Sequence, residues 1–141
     1  MKFLVAVDGS KSSLSAVRYA AKLASAVRGH NQVTLLSVHD DSALKLFKRY
    51  VPRGAIADYL REMSEQDLAP SRKHLDKVGI AHDMVIRFGD IAAQILEEIQ
   101  SSGCDMIVMG SKGRGALKNL VVGSVAQKVS ASAQVPVLLV R

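Results

Sequence analysis

Short runs of apolar residues alternate along the chain with longer segments in which apolar residues recur every three or four positions. The short runs have the length of β-strands, and nearly unbroken apolar runs are typical of strands buried on both faces of a parallel sheet. The predicted strands are Phe3 to Val7, Val33 to Val38, Met84 to Ile86, Met106 to Met109 and Val137 to Val140. The third run is mixed with polar residues, which predicts a strand at the edge of the sheet.

Helices are predicted between these strands, because the longer segments carry their apolar residues on one helical face. The predicted helical segments are Leu14 to Val27, Ile56 to Val78, Ile91 to Ile99 and Ser124 to Ala133. Ser10 and Asp90 are placed to cap the first and third of them, and Gly29 and Gly103 stand where those helices are expected to stop. Pro70 lacks the amide that a helix interior needs, which predicts a kink or two abutting helices in the second segment.

The resulting order is β-α-β-α-β-α-β-α-β, which predicts an α/β protein with an open five-stranded parallel sheet and helices on both faces, a Rossmann-like arrangement. In such a sheet the ligand site lies outside the carboxyl ends of the strands, where the strand order reverses. The loops that follow the strands are therefore the place to look for chemistry. Residues Asp40 to Gly54 have little pattern and are expected to form a loop.

Length and composition fit one globular domain over residues 1–141. The chain has 141 residues, of which 48% are hydrophobic, and a chain of this length can bury about 70% of its unfolded surface. The single cysteine, Cys104, cannot form an internal disulfide, and the seven residues before Asp8, six of them apolar, are too few for a signal peptide or a membrane span. We therefore expect a cytoplasmic protein without a membrane segment.

The formal net charge of +6 favours an anionic ligand. Lys45, Lys48, Arg49 and Arg53 form the densest cationic group, and the other cations are scattered along helix-like segments. Three Tyr, three Phe and no Trp supply few platforms for stacking on bases. Small anionic molecules are accordingly better candidates than nucleic acid.

A glycine-rich loop follows the fourth predicted strand. It contains Gly110, Gly113, Gly115 and Gly123, and Ser124 then begins a predicted helix. Glycines allow left-handed backbone and close approach of amides to a phosphate, and a helix N-terminus favours an anion. The loop has neither the G-x-x-x-x-G-K-[ST] of a P-loop nor the dinucleotide G-x-G-x-x-G. It therefore predicts a different phosphate cradle, with a structural loop as the alternative.

Charged and polar residues beside this loop are further candidates. Lys112, Arg114 and Lys118 each either contact phosphate or belong to a solvated loop. Asp8, at the end of the first strand, either meets ribose or a hydrated divalent metal or caps a turn. Ser10 is expected to be a helix cap first and a ligand contact second.

The chain resembles the universal stress protein family in its ATP-binding branch. The resemblance rests on the VAVDGS start, the spacing of Gly110, Gly113, Gly123 and Ser124, and the closing VPVLLV. It implies a fold of the adenine nucleotide alpha hydrolase type, ATP with Mg²⁺ or Mn²⁺ as ligands, and a homodimer through Val137 to Val140. It also implies that Asp8 meets ribose or metal and that the backbone of Val38 meets adenine. The residues implied around ribose and phosphates are Met109, Gly110, Gly113, Gly123, Ser124 and Val125.

Three functions remain open from the residues. The favoured one is a binding module that holds ATP in a stress response, with a protein partner that the sequence does not name. A slow ATPase or autophosphorylating enzyme is the second, although no residue is an evident candidate to orient water. A basic nucleic-acid-binding module is the third. Among the histidines, His39 lies nearest the expected site and is most simply a polar residue at a strand end.

Overall fold

The structure is a computed structural model of the chain, and it describes residues 1–114, 119 and 121–141. The strands are β1 (Lys2–Ala6), β2 (Gln32–His39), β3 (His82–Phe88), β4 (Met106–Gly110) and β5 (Val137–Val140). The helices are α1 (Lys11–Ala26), α2 (Ser42–Lys45), α3 (Ala55–Val78), α4 (Ile91–Ser102) and α5 (Ser124–Ser132), and a 3-10 turn spans Lys48–Tyr50. Each predicted strand is present, with bounds that differ by at most two residues.

Within the described residues the strands form one five-stranded sheet in the order β3-β2-β1-β4-β5. Every pairing is parallel. β1 lies in the centre, the chain builds outward through β2 to β3, and it then returns to the other side of β1 as β4. The order therefore reverses between β1 and β4, and the expected α/β fold is confirmed. β3 and β5 are the two edges, as the polar mixture in β3 predicted.

Helices cover both faces of the sheet. On one face α1 and α3 pack over side chains of β1 such as Phe3 and Val5. On the other face α4 and α5 pack over Leu4 of the same strand and Ile107 of β4. Successive strand residues point to opposite faces, so the continuous apolar runs supply both cores at once.

The helix ends are set by short-range polar contacts. The hydroxyl of Ser10 accepts the N–H of Ser13 at the start of α1, and the carboxylate of Asp90 accepts the N–H of Ala93 at the start of α4. Gly103 ends α4 in the left-handed conformation, with φ of 62°. The predicted caps and the glycine stop of α4 are confirmed.

Two expectations need correction. α3 runs without interruption for 24 residues through Pro70, so the alternative of two abutting helices is wrong. Residues 40–54 are not a plain loop, because they contain α2 and the 3-10 turn. No helix among the described residues is long and apolar enough to cross a membrane.

Candidate functional site

A cavity of about 500 Å³ opens at the carboxyl ends of β1, β2 and β4, where the strand order reverses. Nine of the ten residues predicted for the site line it: Asp8, Val38, Met109, Gly110, Gly113, Arg114, Gly123, Ser124 and Val125. Ser10 is the tenth and does not line the cavity, because its side chain caps α1. The expected end of the sheet thus carries a cavity large enough for a small organic ligand.

Asp8 connects two loops that are far apart in the sequence. Its Oδ1 accepts the N–H of Ser10 at 2.9 Å, and its Oδ2 accepts the N–H of Arg114 at 3.0 Å. Burial of the carboxyl raises its pKa, but the hydrogen bonds from Ser10, Arg114 and Ser13 outweigh burial and leave the pKa below its ordinary value. Asp8 is consequently a carboxylate at neutral pH. It both caps a turn and lines the cavity, so the two alternatives for this residue are not exclusive.

Gly110 and Gly113 act through close approach rather than through left-handed backbone. Among the described residues positive φ occurs at other glycines, so the expectation of left-handed conformations is wrong for Gly110, Gly113 and Gly123. A Cβ on Gly110 would lie 2.8 Å from the carbonyl carbon of Ser12, and one on Gly113 would lie 3.0 Å from Oδ2 of Asp8. These glycines are needed because other groups occupy the space of a side chain.

The start of α5 faces the cavity without a capping side chain. Gly123 is the N-cap residue, and no described side chain caps the first turn. The N–H of Gly123 is taken by the carbonyl of Ser111 at 2.6 Å. The first residues of the helix, Ser124 and Val125, line the cavity. Unpaired N–H groups and the positive end of the helix dipole make this a place that favours an anion.

A buried carboxylate on α3 forms a second polar group at the cavity. Asp67 is 9% exposed, and its Oδ2 lies 3.1 Å from Nε2 of His39. Its Oδ1 lies 3.3 Å from Nη2 of Arg114, whose side chain is mostly exposed. Gly9, with φ of 80°, leaves room for this pair, because a Cβ there would come within 2.5 Å of both partners.

Sequence reasoning missed Asp67, although a signal was present. The buried positions of α3 are Leu60, Ser64, Asp67, Leu68, Ser71 and Leu75. They recur at three and four, so a carboxylate interrupts an otherwise apolar or small stripe. Such a residue needs a partner within the fold, and here the partners are His39 and Arg114. The prediction that His39 lies near the site is confirmed by its position in the cavity wall.

Another part of the cavity wall is apolar and belongs to the core between α4 and the sheet. Leu36 and Met109 reach it from the strands, and Ile91 and Ile95 reach it from α4. The two isoleucines were expected only as part of the apolar stripe of their helix. Their role in the wall depends on how closely α4 approaches the ends of β2 and β4, which periodicity does not report.

Backbone groups of Val38 face the gap between strands. The carbonyl of Leu36 accepts the N–H of Val7, so the backbone of Leu36 points toward β1. Residues two apart in a strand direct their backbone groups to the same side, so Val38 points the same way. β1 ends at Ala6, and the N–H and carbonyl of Val38 therefore lie beside the cavity rather than along a continuing strand.

The other residues considered in the sequence analysis lie in different places. Lys112 lines the cavity, whereas Gly115 and Lys118 lie outside the described residues. Cys104 is buried in the core beside α4, and burial raises the pKa of its thiol. No group of three or more His, Cys, Asp or Glu that could hold a metal exists among the residues described. A metal at Asp8 would therefore share its coordination with ligand oxygens and water.

Comparison with known proteins places the chain in a family. The model of the universal stress protein family matches residues 1–141. Universal stress protein YxiE of Bacillus subtilis is 31% identical over 147 residues, covering 99% of this chain and 98% of the relative.

Solved structures show the same architecture. The structure of MJ0577, a universal stress protein of Methanocaldococcus jannaschii, superposes with a TM-score of 0.86 at 27% identity, covering 99% of this chain and 94% of that one. A universal stress protein from Archaeoglobus fulgidus in complex with dAMP has a TM-score of 0.69 at 23% identity, covering 100% and 98%. The chain belongs to the universal stress protein family.

Proposed function

We propose that this protein binds ATP and acts as a nucleotide-dependent regulatory module in a stress response. The observation that carries the proposal is the uncapped start of α5, where Ser124 and Val125 line the cavity beside Gly110, at the end of β4, and Gly113 in the loop that follows. Helix N-termini and glycine turns present backbone N–H groups at the distance that phosphate oxygens need. In this proposal the phosphate chain lies against these groups, and Lys112 and Arg114 add positive charge.

The apolar half of the cavity supports a purine base. Leu36, Ile91, Ile95 and Met109 offer apolar contact to such a base. The N–H and carbonyl of Val38 form a donor and an acceptor side by side, which suits the edge of adenine with its ring nitrogen and amino group. The Archaeoglobus fulgidus relative has the same fold, and its structure contains dAMP. We therefore propose that the cavity of this protein prefers adenine.

Asp8 is the residue that would hold Mg²⁺ or Mn²⁺. Its lowered pKa keeps it ionised, and a carboxylate oxygen can accept a second interaction besides the N–H that it already takes. The donor set fits a cation that arrives with the nucleotide and keeps several waters. When bound, the metal neutralises phosphate charge. Cys104, unpaired and buried, agrees with the cytoplasmic location that we propose.

Mass spectrometry of nucleotide carried through a native purification tests the ligand, and calorimetry with ATP and Mg²⁺ tests the site. We expect ATP in the native protein. We expect Asp8→Asn to weaken binding about tenfold or more, because hydrogen bonds to a charged group contribute about 1.5–3 kcal/mol. Asp83→Asn is the matched control, since it removes the same charge from an exposed residue of β3.

Two results would overturn the proposal. One is the absence of heat or uptake when ATP and Mg²⁺ meet the folded protein. The other is an equal loss of affinity in the Asp8 and Asp83 variants, which would make the effect one of net charge. The rate of phosphate release from ATP with Mg²⁺, measured for the wild-type chain and for Asp8→Ala, separates a binding module from a slow ATPase. A rate that the substitution leaves unchanged would rule out the ATPase.

A further inference from the structure

Residues 45–53, which begin with the last residue of α2 and lead toward α3, form a segment in which every residue is exposed. Four of them are large and hydrophobic: Leu46 is 77% exposed, Phe47 57%, Tyr50 76% and Val51 38%. Single exposed apolar residues are common on protein surfaces, but here four stand within six residues of the sequence, and exposed apolar groups mark sites of interaction. We call these nine residues the basic-apolar segment.

Cationic residues are interspersed among the hydrophobic residues of the segment. The segment contains Lys45, Lys48, Arg49 and Arg53 and no acidic residue. Lys45 lies 3.3 Å from the carboxylate of Asp41, the N-cap residue of α2, and its side chain is still 66% exposed. An exposed pair of this kind is weak. The segment therefore combines a strong local positive charge with side chains that favour leaving water.

The pattern selects among possible occupants. A second copy of the chain, paired symmetrically through this segment, would bring four cations against four. Docking of a helix into a groove of another protein needs a continuous helical face, and here α2 has four residues and the 3-10 turn has three. Single-stranded nucleic acid would stack on Phe47 and Tyr50 but would leave Leu46 and Val51 in water. An anionic bilayer accommodates all of these groups.

We propose that the basic-apolar segment binds the surface of an anionic lipid bilayer. Lys48, Arg49 and Arg53 lie at the level of the headgroup phosphates, and the hydrophobic side chains enter the interface between headgroups and acyl chains. Association is peripheral and reversible. It does not depend on the proposed nucleotide, although the segment follows closely on His39, which lines the cavity.

Co-sedimentation of the full chain with vesicles tests the electrostatic part. Vesicles of phosphatidylcholine mixed with phosphatidylserine are compared with vesicles of phosphatidylcholine alone, at low and at high salt. We expect binding to the mixed vesicles at low salt only. Lys48→Ala with Arg49→Ala should lower the partition coefficient about 25-fold, at about fivefold for each cation. Lys22→Ala with Arg28→Ala removes the same charge from exposed residues elsewhere and should lower it much less.

Fluorescence tests the hydrophobic part, because the chain contains no tryptophan. Phe47→Trp introduces a single reporter, and its emission should shift to shorter wavelength on addition of the mixed vesicles. Tyr19→Trp places the reporter on an exposed site of α1 and should show no shift. All variants change exposed residues, and circular dichroism checks that they are folded.

Several results would overturn the proposal. These are no sedimentation with anionic vesicles at low salt, equal loss in the two double variants, or no emission shift for Phe47→Trp. Retention of single-stranded RNA by the segment without vesicle binding would assign it to nucleic acid instead.

Discussion

Gly110 and Gly123 differ in the room that each position leaves for a side chain. At Gly110 the obstacle is internal, because Ser12 of α1 occupies the place of a side chain. At Gly123 a Cβ would meet its neighbours at 3.5 Å, which is ordinary contact, and φ is −71°. Among the described residues, no neighbour therefore excludes a side chain at Gly123. We attribute the glycine at this position to the proposed ligand, whose phosphates need the space of a side chain.

Alanine at the two positions should separate stability from binding. Gly110→Ala should lower the free energy of unfolding by about 1–3 kcal/mol, the usual effect of overpacking. Gly123→Ala should lower it by no more than about 1 kcal/mol, the difference between a glycine and an alanine N-cap. Gly123→Ala should nevertheless weaken the binding of ATP, because its methyl group would stand between the start of α5 and the proposed phosphate.

Urea denaturation and calorimetry measure both effects. Unchanged ATP affinity in Gly123→Ala, with the protein folded, would contradict the proposed position of the phosphates. Unchanged stability in Gly110→Ala would contradict the close packing of α1 on β4.

At the scale of elements, α3 is a helix in which packing outweighs the local effect of a proline. Pro70 predicts an interruption, yet the helix continues because Leu68 and Ser71 on either side are buried against the sheet face. Proline removes one N–H, which leaves the carbonyl of Gln66 without its bond in the helix. Tertiary packing of the stripe outweighs this loss.

Pro70→Ala should therefore stabilise the protein. The residue is exposed, so alanine loses no packing and restores the N–H. We expect the free energy of unfolding to rise by about 1–2 kcal/mol, less than the full difference of about 3 kcal/mol in helix propensity, because proline also restricts the unfolded chain. Urea denaturation measures the change. Glu65→Ala, at another exposed position of α3, is the control, and destabilisation by Pro70→Ala would show that the helix is built around the proline.

At the scale of the whole molecule, the predictable part of the structure is the part that periodicity encodes. The alternation of buried strands and one-sided helices predicted the parallel sheet and the end at which the cavity opens. The spacing of Gly110, Gly113 and Gly123 predicted a phosphate cradle, and the three glycines all line that cavity. Asp67 and Ile95 were not predicted as site residues, because their helices reach the cavity only through packing between elements distant in sequence.

The edge of the sheet at β5 bears on assembly. Val137–Val140 pairs with β4 on one side, and within the described residues no strand pairs with its other side. Its four residues are all partly exposed. An unpaired apolar edge favours addition of another strand, and a symmetric pairing of two copies would close both edges at once. We therefore propose a homodimer through β5.

Sedimentation velocity tests this interface. The wild-type chain should sediment as a dimer, and Val140→Glu should sediment as a monomer, because it places a charge at the proposed contact. Met84→Glu puts the same charge on the opposite edge, at an exposed residue of β3, and should remain a dimer. A wild-type monomer, or a dimer that survives Val140→Glu in the folded protein, would place any contact elsewhere. Dissociation by Met84→Glu instead would assign the interface to β3.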